Sequence, residues 1–198
     1  MRLADYVIHL VLSGVLVVGG YQFYFWCQHN APFEARELGS FIDELIPYAP
    51  RWVWVYGFLY YPVIFYLSIL LKSPQQFTHV ASSYLLLLAF QVVFFLVFPV
   101  RTPKSWRAIV ERRTLSERFL AFVQRIDGPC NSFPSMHTSM AMLTALHLYD
   151  RHGIVSFAFP VVIGLSCLFT KQHYLVDIPA GAALGWLVHD LHAMLIAA

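Results

Sequence analysis

His173 and Asp177 stand four residues apart, and Pro134-Ser135-Met136-His137 brings a second histidine to the predicted start of a helix. Residues four apart on a helix share a face. A carboxylate placed there can accept the proton of one imidazole nitrogen and leave the other bare as a nucleophile. The plain alternative is an i,i+4 pair that does no more than stabilise its helix. His137, in a first helical turn, could protonate a leaving group, and the free backbone N–H groups around it would favour an anion. Asn131 or Ser132 is the expected cap, and Pro134 suits the first turn. A satisfied cap with an incidental histidine is the competing reading.

Cations stand near both strings. Arg101, Lys104 and Lys171 are candidate phosphate ligands beside Ser135, because cations neutralise charge developing on phosphoryl oxygens. Basic flanking of a membrane helix accounts for Arg112, Arg113 and Arg118 without any site. The chain has no Ser-centred elbow, no Gly-rich nucleotide loop and no metal-ligand triad of the usual spacing. Cys27, Cys130 and Cys167 also lack metal-ligand spacing. A Cys27–Cys130 disulfide is conceivable, but unpaired buried thiols are expected. The reaction class that fits is metal-independent phosphoryl transfer with no cofactor. His173 attacks phosphorus, His137 protonates the departing alcohol, and water or a second alcohol releases the phosphate.

These groups are set in a chain that is 59% hydrophobic and 12% charged, with a mean hydropathy of +0.61. Soluble proteins carry about twice that charged fraction. Ionisable residues inside membrane segments are costly and rarely idle. The expected fold is therefore a single all-α membrane domain over residues 1–198. Six spans are predicted, about Tyr6–Cys27, Trp52–Leu71, Phe77–Val100, Met136–Tyr149, Ile154–Thr170 and Tyr174–Ile196. Residues 28–50, with Glu34, Glu37, Asp43 and Glu44, predict a short interfacial helix. Residues 101–135, with Trp106, Ile109, Val110, Leu115, Phe119, Leu120 and Phe122, predict one or two amphipathic helices. Six crossings bring Arg101, His137 and His173 to one membrane face. Gly181-Ala182-Ala183-Leu184-Gly185 predicts close helix packing inside the bundle, with no specific oligomer implied. The basic stretch fits an anionic headgroup rather than nucleic acid.

The motifs resemble those of the type 2 phosphatidic acid phosphatase superfamily. Its signature is Lys-x6-Arg-Pro, then Pro-Ser-Gly-His, then Ser-Arg-x5-His-x3-Asp. Pro134-Ser135-Met136-His137 matches the second motif with Met for Gly. Ser166-Cys167, five residues, His173, three residues and Asp177 match the third with Cys for Arg. The first motif is degraded in Phe98-Pro99-Val100-Arg101-Thr102-Pro103-Lys104. The motifs fall within residues 98–185. Ile46-Pro47-Tyr48-Ala49-Pro50 and Thr170-Lys171-Gln172-His173-Tyr174 resemble the inositol-phosphotransferase-like branch. The resemblance implies six membrane helices, His173 as nucleophile, Asp177 as its orienter, His137 as acid, and Lys171 in place of the missing Arg.

The resemblance also implies a lipid-phosphate substrate, with surrounding membrane lipids as the other contact, and an active face outside the cytosol. The charge rule points the other way, with ten Lys/Arg on the predicted active face against three on the other. Hydrolysis of a lipid phosphomonoester or diphosphate is the leading expectation. A headgroup phosphotransferase and a non-catalytic lipid-binding or transport protein are the alternatives.

Overall fold

A computed structural model describes residues 3–108 and 112–197. The regular elements among them are helices: α1 (Leu3–Asn30), α2 (Phe41–Leu45), α3 (Tyr60–Leu70), α4 (Pro74–Val97), α5 (Lys104–Ala108), α6 (Leu115–Ile126), α7 (Met136–His152), α8 (Ala158–Phe169) and α9 (Asp177–Ala197). A 3-10 turn, Pro50–Trp52, and a π-helical turn, Val55–Leu59, lead into α3.

Local chemistry sets the helix ends. Ser73 accepts from the Gln76 amide at 3.2 Å, and Pro74 follows it where a missing N–H does no harm. Thr114 and Glu117 form a reciprocal capping box at the start of α6. Gly153, with φ +58°, ends α7 in a backbone state that side chains resist. A 3-10 turn, Gly153–Phe157, then turns the chain into α8, which runs back along α7.

Helix α7 is the axis of the bundle. Ala141, Leu143 and Ala145 are fully buried. One apolar cluster joins Ala141 to Tyr56, Tyr60, Ile64, Ile163 and Cys167, and another joins Leu143 to Leu87, Leu184 and Val188. The small-residue run of α9 is used inside this bundle, since Gly181 and Gly185 both lie against the α7 backbone. Helix α1 instead exposes Val7, Val11, Val15 and Val18. Water would not favour such a face, whereas lipid chains would.

Five stretches are long and apolar enough to cross a membrane, one of them the continuous 34-residue run Met136–Phe169. Six had been expected, because the fourth and fifth segments were read separately. The last helix begins at Asp177 rather than Tyr174. The interfacial helix expected in 28–50 is only the five residues of α2, and Asp43 within it is buried. Where one or two amphipathic helices were predicted in 101–135, the structure has two helices, the five-residue α5 and the twelve-residue α6. Trp106 and Leu120 face inward, while Leu115 and Phe122 are exposed. Ile109 and Val110 lie outside the described residues. Cys27, Cys130 and Cys167 are all free thiols.

Candidate functional site

The cap of α7 is Ser135, not Asn131 or Ser132. Its hydroxyl accepts from the Thr138 amide at 3.3 Å. Asn131 is diverted by a left-handed backbone, φ +67°, and donates its amide to the Tyr24 carbonyl at 2.9 Å. Ser132 turns its carbonyl toward His173, at 2.9 Å from Nδ1. The loop before α7 is thereby wrapped onto the turn before α9.

His173 sits in that turn, ahead of α9, so it does not share a helical face with Asp177 as the spacing predicted. The two meet because the turn folds back. Asp177 Oδ2 lies 3.2 Å from His173 Nδ1 and accepts from the Tyr174 amide at 2.9 Å. The Asp177 carbonyl accepts from the Ser135 amide at 3.1 Å, which joins the starts of α7 and α9. Nδ1 thus faces two acceptors, so it carries the proton and Nε2 keeps the lone pair. Nε2 lies 3.4 Å from the Ser135 hydroxyl.

His137 is the second residue of α7. Its ring stacks on Tyr56 at 4.3 Å between centroids and lies 5.9 Å from the His173 ring, with planes at 71°. Cys167, fully buried near the end of α8, completes a cluster. Its sulfur and one nitrogen of each imidazole lie within 4.8 Å of one another.

The basic candidates are spread more widely. Arg101 is half-exposed and pairs with Glu37 at 3.2 Å. Lys104 is exposed at the start of α5. Lys171, in a left-handed turn at φ +56°, is buried and donates Nζ to the Asp43 carbonyl at 2.6 Å, with Trp106 beneath it at 5.0 Å. Burial pulls the Lys171 pKa below its ordinary value, against the opposing pull of Asp43 and Glu44. Arg107 braces the loop after α6 by donating to the carbonyls of Gln124 and Asp127, at 2.6 and 2.9 Å.

Two acids were not singled out by the sequence reading. Asp43 accepts from the Leu175 amide at 2.6 Å and from the Ser40 amide at 2.7 Å, so α2 holds the His173 turn from outside. Asp127 accepts from Tyr24 at 2.5 Å, Tyr56 at 3.1 Å and Gln28 at 3.2 Å. Burial raises the Asp127 pKa, while the Tyr24 and Tyr56 hydroxyls hold it back. Asp127 and His137 share the wall of a cavity of about 370 Å³ whose other walls include Leu16, Val17, Tyr60 and Phe119. Its lining combines Asp127, His137 and tyrosine side chains with aliphatic and phenylalanine ones.

Against known proteins, the model described as "PAP2 superfamily" matches residues 41–191. An uncharacterised protein of Methanocaldococcus jannaschii is 32% identical over 63 residues, 31% of this chain and 26% of that protein. The chain therefore covers about a quarter of the length of that curated relative. No solved structure matches the chain.

Proposed function

The chain belongs to the PAP2 superfamily, and on that premise we propose that it transfers a phosphoryl group from a lipid phosphate through a phosphohistidine, with hydrolysis as the outcome. The observation that supports this most is the His137–His173 pair, 5.9 Å apart, with Nδ1 of His173 held by Ser132 and Asp177. That separation suits one phosphoryl group between two rings.

In the proposed step, His173 Nε2 forms a bond to phosphorus as the P–O bond to the lipid breaks. Protonated His137 gives its proton to the leaving oxygen, so a neutral alcohol departs. Asp177 and the Ser132 carbonyl stabilise the imidazole as it gains positive character. Neutral His137 then takes a proton from water, whose oxygen attacks the phosphohistidine and frees inorganic phosphate. Ser135 and the first-turn amides of α7 are the nearest ligands for the phosphoryl oxygens. Arg101, Lys104 and Lys171 are proposed as further anion ligands, and the existing bonds of Arg101 and Lys171 would have to open for that. The cavity beside His137 supports a lipid substrate, with the phosphate placed beside His137 and the acyl or prenyl chain against the α1 residues Leu16 and Val17.

We read Met136–Phe169 as two crossings, since the chain reverses at Gly153, giving six in all. Helix α7 spans roughly 26 Å at 1.5 Å per residue, near the thickness of a bilayer core. The active face is proposed to lie outside the cytosol. Four of the basic residues that argue otherwise, Arg36, Arg101, Arg107 and Lys171, have local partners, and the other six against three still favour the opposite side by the charge rule.

The test is release of inorganic phosphate from a panel of lipid phosphates in detergent without added metal. Release that depends on His173 supports hydrolysis. Headgroup transfer to a lipid alcohol without phosphate release would instead mark a transferase, and neither would mark a lipid-binding protein.

A further inference from the structure

We propose that His137, Cys167 and His173 form a binding site for a thiophilic metal ion, zinc(II) or copper(I), and that occupancy switches phosphoryl transfer off. The inhibition rests on the function proposed above, but the binding does not.

The motif resembled by this chain has Arg where Cys167 stands. A guanidinium would repel a metal cation, whereas a thiol can bind one. Cys167 contributes its sulfur from α8, His137 a nitrogen from α7 and His173 a nitrogen from the following turn, all within 4.8 Å of one another. Metal–ligand bonds of about 2.0–2.3 Å put tetrahedral ligand atoms roughly 3.3–3.8 Å apart. The cluster must therefore tighten by roughly 1.5 Å at most. Two imidazoles and one thiolate select soft or borderline ions over magnesium and calcium. Three protein donors leave a fourth position for water, and the Ser135 hydroxyl lies 3.4 Å from His173 Nε2.

The surroundings of His173 also suit a metal ligand. Its Nδ1 faces a carboxylate and a backbone carbonyl, at 3.2 and 2.9 Å. Such partners fix the tautomer and raise the basicity of the other nitrogen. The same arrangement that prepares Nε2 to attack phosphorus prepares it to coordinate a metal.

Binding displaces the thiol proton, so Cys167–SH and Zn²⁺ give a zinc thiolate and one H⁺. The lone pair of His173 Nε2 then goes to the metal and is lost to phosphorus, and His137 can no longer carry a proton to the leaving group. No redox partner is needed.

The experiment titrates the purified full chain in detergent with cobalt(II), then with zinc(II). The expected result is a near-ultraviolet thiolate-to-cobalt charge-transfer band that saturates at one ion per chain and is abolished by zinc. Cys167→Ala should lack the band, and the Cys27→Ala/Cys130→Ala double variant should keep it. Zinc binding to the unmodified chain should also release one proton from the Cys167 thiol, read with a pH indicator in weak buffer, so the result does not hang on a variant that folds. In phosphate release, Cys167→Ala should need at least about a hundredfold more zinc for half-inhibition than the parent chain, since even outer partners of a metal ligand change affinity about 10–100-fold. Absence of the band, its survival in Cys167→Ala, or equal zinc sensitivity of the two chains overturns the proposal. A cobalt band in a chain that releases no phosphate keeps the site and defeats the hydrolase reading instead.

Discussion

Gly181 of α9 lies so close to Ser135 that a Cβ on it would fall 2.5 Å from the Ser135 carbonyl oxygen. Ser135 caps α7 two residues before His137, and its amide bonds to the Asp177 carbonyl. The close approach of two backbones therefore fixes the spacing between the helix that carries His137 and the helix that Asp177 opens.

Gly181→Ala should force these helices apart at the site. Overpacking of this kind costs about 1–3 kcal/mol. Thermal unfolding in detergent should show that loss together with a fall in phosphate release. Gly14→Ala, on α1, where a Cβ would meet nothing within 4 Å, should leave phosphate release unchanged and should not lower the unfolding temperature.

Asp177→Asn should leave the fold close to intact and cut turnover by roughly 10³–10⁴-fold, the effect expected when the orienter of a catalytic imidazole loses its charge. KM should change far less than kcat, because Asp177 meets the imidazole rather than the substrate. An equal fall in both kinetic constants would count against that role.

Lys171 and Asp43 separate two roles that share one position. Lys171→Met removes a charged hydrogen bond to the Asp43 carbonyl, worth about 1.5–3 kcal/mol. Asp43→Asn keeps that carbonyl but weakens the grip on the Leu175 amide. If Lys171 is a strut, both variants lower the unfolding temperature and leave KM nearly unchanged. If Lys171 also meets phosphate, its variant alone raises KM.

Asp127 links stability to pH. Burial raises its carboxyl pKa in the folded chain above the unfolded value of about 3.9. The folded state then holds the proton more tightly, so this contribution is complete below the unfolded pKa and is lost as pH rises through the folded one. Unfolding temperature should show that decline across the mildly acidic range in the parent chain. Asp127→Asn should flatten it.

Much of the site was legible as spacing. Ser135, His137, His173 and Asp177 all stand in short strings of the sequence, and the fold brings them together. The failures have physical causes. The i,i+4 rule assumes a helix, yet His173 lies in a turn that reaches Asp177 by folding back. The cap went to Ser135 because Asn131 adopts a left-handed backbone and bonds to Tyr24. Asp43 and Asp127 act through partners far along the chain, Leu175 and Tyr24 among them, and no local pattern records such pairings. The two shortest apolar segments are joined through the 3-10 turn at Gly153 with no non-helical residue between them, so by length and composition they stand as one stretch and six predicted spans as five.

The central claim is that His173 carries the phosphoryl group. Brief reaction with a ³²P-labelled lipid phosphate, an alkaline quench and peptide mapping test it most directly. An acid-labile, base-stable label is expected on the peptide holding His173, absent in His173→Ala and longer-lived in His137→Ala. Phosphate release by His173→Ala at the parental rate, or a label on any other residue, would contradict it.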